Sequence, residues 1–323
     1  MEMKRKMSVN IGKLHLRSPL MTTSGCSGSS SEIYRLADRE KLFAALGAFV
    51  TKGVTLHPRH GNPQPRIVET RCGIINSIGL QNSGAKEFVR NELTELLTYQ
   101  KPILVNISAS TVDEFGALTA YLASNDVNNC ISGIEINVSC PNISEGGAAF
   151  GANPAMVKKV VKIVKQNLPD RITVITKLSP NVTDIVLPAQ AAIEAGTHAL
   201  SMINTLRGMA IDIEQRKPFL GNQFGGLSGP AIKPIGVFMV YDCFRRIPQC
   251  RSREIPIIGI GGVTNWRDAM EYVLAGASAI GIGTEWFVNP SVFQEIHGGI
   301  ERYLNKTGRD LSSLIGAAHR TSG

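Results

Sequence analysis

Apolar positions along the chain fall into two alternating kinds of run. Short, nearly continuous segments rich in β-branched residues occur at Pro19–Ser24, Ala48–Lys52, Ile103–Ser108, Gly133–Ser139, Ile172–Leu178, Ala199–Asn204, Pro256–Gly261 and Ala279–Gly283. They read as strands covered on both faces. Between them lie amphipathic segments that read as helices: Ser31–Ala45, Ala85–Tyr99, Val112–Ala123, Pro154–Leu168, Thr183–Ala195, Ala231–Arg246, Trp266–Ala275 and Val292–Leu304. Asn153-Pro154, Thr183 and Asn265 are expected starts, and Gly196 and Gly276 expected ends. Strand-then-helix units in this number predict an α/β fold, an eight-stranded parallel β/α (TIM) barrel, as one domain over residues 1–323. Val9, Ile11, Leu14 and Leu16 alternate ahead of it and predict a β-hairpin under the barrel floor.

In such a barrel the loops after the strands carry chemistry. Those at His57–Gly84, Pro141–Asn153 and Thr205–Gly229 are long and rich in Gly, Pro, Asn and polar residues, as a lid or extended pocket requires. The strand ends bring Ser24-Gly25, Lys52-Gly53, Asn106, Asn137 with Cys140, Lys177, Asn204-Thr205, Gly261-Gly262 and Gly283-Thr284 to one mouth. Glycine pairs after the last two strands suit a phosphate held by backbone N–H groups, at the usual phosphate position of these barrels. Tight turns are the plainer explanation of either pair alone. No GxGxxG accompanies them, so there is no dinucleotide fingerprint.

Lys52 and Lys177 follow apolar strand residues, and a lysine at a mouth needs an anion. A substrate carboxylate or a reduced flavin ring would serve; a Schiff-base role would leave Cys140 and the asparagines unused. Asn76, Asn106, Asn137, Asn142 and Asn204 offer donors and acceptors that match a small heterocycle with imide groups. Each alone would read as a turn or cap. Cys140, at the tip of a buried strand before Pro141, is either a small buried hydrophobe or a thiol base beside such a ligand.

Composition narrows the class. The chain is 43% hydrophobic and 19% charged, an ordinary soluble globule, with no apolar run long enough to span a membrane. The basic start Met1–Met7 lacks the apolar stretch of a signal peptide, and a cytoplasmic location is expected. Net charge is +8, but Lys158, Lys159, Lys162 and Lys165 share one helix face and no nucleic-acid motif accompanies them. The six cysteines, Cys26, Cys72, Cys130, Cys140, Cys243 and Cys250, form no CxxC and suit neither zinc nor an iron–sulfur cluster. His57 and His60 read as surface residues, and no metal site is expected.

On these residues the chain resembles the dihydroorotate dehydrogenases of class 1B, the catalytic subunit of the NAD-linked two-component enzyme of pyrimidine biosynthesis. The matching segments are Ser24-Gly25-Cys26, Asn62-Pro63-Gln64-Pro65-Arg66, Asn76–Asn82, Asn137–Asn142, Gly146-Gly147 with Phe150-Gly151, Lys177–Asn181, Met202–Thr205, Gly225–Pro230 and Gly259–Val263. The resemblance implies an FMN-containing barrel that oxidises dihydroorotate to orotate. Cys140 would take the proton from C5 while hydride leaves C6 for FMN. Lys52, Asn76, Ser77, Ile78, Gly79, Leu80, Asn137, Asn142, Asn204 and Thr205 would line the substrate site. Ser24, Lys52, Gly53, Asn106, Asn137, Lys177, Ile203, Gly229, Gly261, Gly262, Gly283 and Thr284 would hold FMN. FAD and [2Fe–2S] are expected only in a separate electron-transfer subunit that reduces NAD, with two copies of this chain inside a heterotetramer.

Three departures stand out: Ser27 after Cys26, where relatives carry an aromatic residue, Ser83 after Gln81-Asn82, and Arg207 beside Asn204-Thr205. Pro248–Glu254 is expected as a surface loop. The alternatives are a fumarate-linked class 1A enzyme, disfavoured by Gly146-Gly147 and Ile78–Gln81, and a non-catalytic flavin- or phosphate-binding barrel.

Overall fold

The computed structural model describes residues 6–26, 28, 39–139 and 150–319. Its centre is a sheet of parallel strands: β1 (Leu20–Thr22), β2 (Phe49–Val50), β3 (Ile103–Ile107), β4 (Ile131–Asn137), β5 (Thr173–Lys177), β6 (Ala199–Met202), β7 (Ile257–Ile260) and β8 (Ala277–Ile282). The order β1-β8-β7-β6-β5-β4-β3-β2 has its two ends joined by a parallel bridge between Met21 and Ala48. The Thr22 hydroxyl reinforces that seam, accepting from the Val50 N–H at 2.8 Å and donating to its carbonyl at 3.1 Å. The expected barrel is therefore present. Every residue of β3, β5, β6, β7 and β8 is buried, as continuous β-branched runs require.

The helices α1 (Arg39–Ala45), α2 (residues 85–99), α3 (Val112–Ser124), α4 (Pro154–Gln166), α5 (Val186–Glu194), α6 (Lys233–Arg246), α7 (Trp266–Ala275) and α8 (Val292–Thr307) surround the strands. In α4 the stripe Met156, Val157, Val160, Val161 and Val164 is buried, while Lys158, Lys159, Lys162 and Lys165 are exposed. The basic cluster is a solvated face. Asn153 caps α4 by accepting from the Ala155 N–H (3.0 Å), and Asn265 caps α7 through Arg267 and Asp268 (2.9 and 3.2 Å). At α5 the expected cap Thr183 is displaced by Asp184, whose carboxylate accepts from the Val186 N–H at 3.0 Å.

Strands Val9–Ile11 and Leu14–Leu16 form the expected hairpin. Its turn holds Gly12 at φ +55°, where a Cβ would come within 2.7 Å of Thr173. Thr173 opens β5, so the hairpin lies at the N-terminal end of the barrel, away from the mouth.

Two of the three long segments are not loops. Residues 67–70, 73–76, 206–208 and 225–228 form a four-stranded antiparallel sheet over the mouth side, in the order 206–208, 225–228, 73–76, 67–70. Glycine and asparagine content obscures the short runs Ile67-Val68 and Ile74-Ile75, and their partner strand is distant in sequence. Pro248–Glu254 also departs from expectation. Pro248–Arg251 is one helical turn with Cys250 buried, and only the residues after it are an exposed turn. The expectations for Cys140, Asn142, Gly146-Gly147, Ser27 and the Ser31 helix start lie outside the described residues.

Candidate active site

The barrel interior beneath the mouth is built on a buried carboxylate. In β4, Gly133, Glu135 and Asn137 share one phase of the strand, with Glu135 paired across to Asn106 and Asn137 across to Lys177. Glu135 is 3% exposed and Lys177 4%. Asn106 donates its Nδ2 to Glu135 Oε2 at 2.7 Å, Ser201 donates its hydroxyl to Oε1 at 2.7 Å, and Lys177 Nζ lies 4.0 Å from Oε2. With its amide turned this way, Asn106 leaves Oδ1 buried and unpaired, and the Ser108 hydroxyl is unpaired as well. Both atoms face Gly53, whose absent Cβ would lie 3.3 Å from Asn106 Oδ1 and 3.9 Å from Ser108 Oγ. Each such group costs about 1–3 kcal/mol until something pairs with it.

Amides dominate one wall. Asn137 Oδ1 accepts from the Ser139 N–H (3.1 Å) and from Asn204 Nδ2 (3.2 Å). Asn204 also donates to Ser139 Oγ (2.9 Å), and its own Oδ1 accepts from the Thr205 N–H (2.8 Å). Asn181 holds the next turn, donating to the Thr205 carbonyl at 3.0 Å and accepting from the Arg207 N–H at 2.9 Å.

Residues 76–80 adjoin this wall through Gly226, which pairs with Asn76 and packs on Thr205. Asn76 donates to the Gly226 carbonyl at 3.2 Å, and the buried Ser77 accepts from Asn62 Nδ2 at 2.8 Å. Ile78 accepts from the Asn62 N–H at 3.1 Å. Gly79 sits at φ +74°, and a side chain there would strike Asn62 at 2.6 Å. Leu80 reaches within 3.4 Å of the empty Cβ position of Gly53. Arg66 straps this segment, donating to the carbonyls of Asn62 (2.6 Å) and His60 (3.0 Å) and to Gln81 Oε1 (2.7 Å). A cavity of about 390 Å³ opens beside Lys52 and Gly53, bordered by Arg59, His60, Asn82 and Phe88.

The far rim is a glycine cradle. Gly229, Gly261 and Gly262 have φ of +100°, +129° and +65°. A Cβ on Gly262 would lie 2.7 Å from the Gly229 carbonyl oxygen and 2.9 Å from the Lys233 nitrogen, so only glycine permits this approach. The Tyr272 hydroxyl donates to the Gly261 carbonyl at 2.8 Å and lies 3.2 Å from that of Ile260. Burial pushes the Tyr272 hydroxyl up, so it stays a donor. A trans peptide points its C=O and N–H in opposite directions. Pinning the Gly261 carbonyl on α7 therefore turns the Gly262 N–H away from that helix.

Ile203 joins this rim through its N–H to the Ile260 carbonyl (3.0 Å), and Thr284 donates to Ser228 Oγ (2.9 Å). Ser24 belongs to a turn closed by the Cys26 N–H on the Thr23 carbonyl (3.2 Å). A Cβ on Gly283 would meet Thr23 Oγ1 at 2.8 Å and Cys26 Sγ at 3.3 Å. Beneath the cradle, Asp268 accepts from Lys233 Nζ (2.8 Å) and from the N–H and hydroxyl of Thr264 (3.0 and 2.7 Å). Burial pushes its carboxyl up, but the Lys233 and Thr264 hydrogen bonds outweigh burial and hold it below the usual range.

The structure thus gathers Lys52, Gly53, Asn106, Asn137, Lys177, Asn204 and Thr205 at the mouth, together with residues 76–80 and the glycine cradle. His57 and His60 are exposed. No group of three metal-capable side chains occurs among the described residues. Burial pushes the thiols of Cys26, Cys130, Cys243 and Cys250 up, so none is a poised nucleophile. Sequence reasoning missed Glu135, Ser108, Arg66 and Tyr272 as parts of the site. Only Glu135 carried a signal: an acid between Ile134 and Ile136, in phase with Asn137, has to face the barrel interior.

A family model described as dihydroorotate dehydrogenase matches residues 6–304. A protein of Desulforudis audaxviator named dihydroorotate dehydrogenase B (NAD(+)), catalytic subunit, is 47% identical over 322 residues, which is 99% of this chain and 100% of that one. Proteins of the same name from Pelobacter propionicus and Trichlorobacter lovleyi are 47% and 48% identical, each covering 98% of this chain and 99% of its own length. Matches of this extent take in the glycine cradle, the amide wall and the strand that carries Glu135. The chain belongs to the dihydroorotate dehydrogenase family, among its B-type catalytic subunits.

Proposed function

We propose that this chain, as one FMN-binding domain over residues 1–323, oxidises dihydroorotate to orotate in pyrimidine biosynthesis and passes the electrons to a separate subunit. The observation that carries the reading is the pair of buried, unpaired atoms, Asn106 Oδ1 and Ser108 Oγ, facing the side-chain-free Gly53 at the mouth. A flat polar heterocycle satisfies them, and the glycine rim takes a phosphate attached to it. The donor set therefore fits FMN. Ser24, Gly229, Gly261, Gly262, Gly283 and Thr284 hold the phosphate side, and Lys52, Gly53, Asn106, Asn137, Lys177 and Ile203 the ring side.

The chemistry FMN supplies when bound is acceptance of a hydride from C6 of the substrate. The chain supplies position and proton transfer. Lys52 holds the substrate carboxylate, a charge-assisted contact worth about 1.5–3 kcal/mol. Asn76, Ser77, Ile78, Gly79, Leu80, Asn137, Asn142, Asn204 and Thr205 surround the ring, with Asn137 and Asn204 oriented by their mutual hydrogen bond. Cys140, which follows β4 in the sequence, is the base that takes the C5 proton on its sulfur. Such general base catalysis contributes roughly 10²–10⁴ in rate.

The electron acceptor is an FAD/[2Fe–2S] subunit that reduces NAD. The catalytic chains pair within a heterotetramer. Support for pairing comes from Met209, Ile211, Ile213, Phe219 and Phe224, large apolar side chains exposed on the segment over the mouth. No helix among the described residues is long and apolar enough to cross a membrane, in keeping with work in the cytoplasm. The test is an acceptor assay. The single chain with dihydroorotate is expected to reduce dyes but not NAD, and the added electron-transfer subunit to restore NAD reduction. Robust NAD turnover by the chain alone would refute the two-component reading, and turnover with fumarate would favour the class 1A alternative.

A further inference from the structure

The barrel interior of such folds is ordinarily filled by layers of Val, Ile and Leu. Here one interior position carries Glu135, and the Lys177 ammonium lies 4.0 Å away. Packing does not explain the choice, because replacing a buried ion pair with apolar residues is often neutral or stabilising. Its partners do. Asn106 and Lys177 both stand at the mouth, and Ser201 completes the carboxylate's hydrogen bonding from β6.

We propose that Glu135 is a positioning residue that fixes the Asn106 amide and the local charge around Lys177, and so sets the reduction potential of the flavin; this rests on the FMN reading above. A carboxylate only accepts hydrogen bonds, so Asn106 must turn Nδ2 inward and present Oδ1 at Gly53. That choice of face selects a donor group on the ligand. The charge acts separately. A reduced flavin gains negative charge, which the Lys177 cation stabilises and the Glu135 anion opposes. The carboxylate thereby holds the potential below the value that Lys177 alone would give.

Glu135→Gln separates these effects. Glutamine can accept from Asn106 with its carbonyl and donate to Ser201, whose hydroxyl reverses, so both contacts persist and only the charge is lost. One charge acting over a distance on the order of 10 Å at an effective dielectric of about 20 changes an equilibrium by roughly tenfold. The reduced-to-oxidised ratio at fixed potential is expected to rise about tenfold, a midpoint shift of about +30 mV for a two-electron couple. Ser201→Ala keeps the charge and removes one donor to it, so its midpoint is expected to move down. The experiment is redox titration of FMN-loaded wild type and both variants against a reference dye, with FMN dissociation measured by flavin fluorescence. If the wild type takes up no FMN, the cofactor reading fails. If it binds FMN and the midpoints of both variants coincide with its own, the role of Glu135 is overturned. Should Glu135→Gln not fold, the downward shift in Ser201→Ala decides, and an unmoved midpoint there overturns the proposal.

Discussion

Removing one oxygen atom from Tyr272 tests whether the glycine cradle is aimed by the helix behind it. The Tyr272 ring is fully buried, and its hydroxyl is the donor to the Gly261 carbonyl at 2.8 Å. Tyr272→Phe keeps the ring, so the cost is the lost hydrogen bond and a buried carbonyl left short of a partner, about 2 kcal/mol. For a chain of this size that is a fall in Tm of about 3 °C in the FMN-free protein. A second effect follows from peptide geometry: a Gly261 carbonyl free to rotate carries the Gly262 N–H with it. FMN affinity is then expected to drop about tenfold, equivalent to about 1.4 kcal/mol. Thermal unfolding of apoprotein and fluorescence titration with FMN read the two effects independently. An unchanged FMN Kd in a variant whose Tm has fallen would leave Tyr272 a packing residue and refute the aiming argument.

Two further outcomes are expected. Cys140→Ala should bind FMN nearly as wild type while flavin reduction by dihydroorotate in a stopped-flow trace slows by at least about 10²; full speed would remove the thiol from the chemistry. Asp268, held below the usual carboxylate range by Lys233 and Thr264 against the opposing pull of burial, contributes stability that is fully present above about pH 4 and lost as pH falls through its folded value. Asp268→Asn should therefore unfold more easily at pH 7, by about 2 kcal/mol, yet lose less stability than wild type on acidification below pH 4 in denaturant titrations. Parallel pH profiles would contradict the assignment.

The barrel was legible because its signals are local. β3 and β5 are runs of apolar and β-branched residues broken only by Asn106 and Lys177, and α4 carries a valine stripe opposite four lysines. The sheet over the mouth was not legible. Its strand 73–76 pairs with 225–228, and no property of either segment alone announces the other. Much of the site was readable as residues at strand ends, because in this fold those ends converge. What decides each residue's contribution was not readable. The inward turn of the Asn106 amide depends on Glu135 from the neighbouring strand, and the setting of the Gly261 peptide depends on a tyrosine one helix away. Asp184 in place of Thr183 as the α5 cap is the same lesson at small scale: neighbouring residues compete for one N–H, and the carboxylate is the one that reaches it.

Anaerobic titration of the FMN-loaded chain with dihydroorotate tests the central claim most directly. Cys140, Lys52 and the amide wall are assigned to bring the substrate to the flavin without help from another subunit. The expected result is loss of the oxidised-flavin absorbance on adding dihydroorotate alone, with orotate formed in step with it. A chain that binds FMN but keeps its full absorbance in excess dihydroorotate would contradict the account.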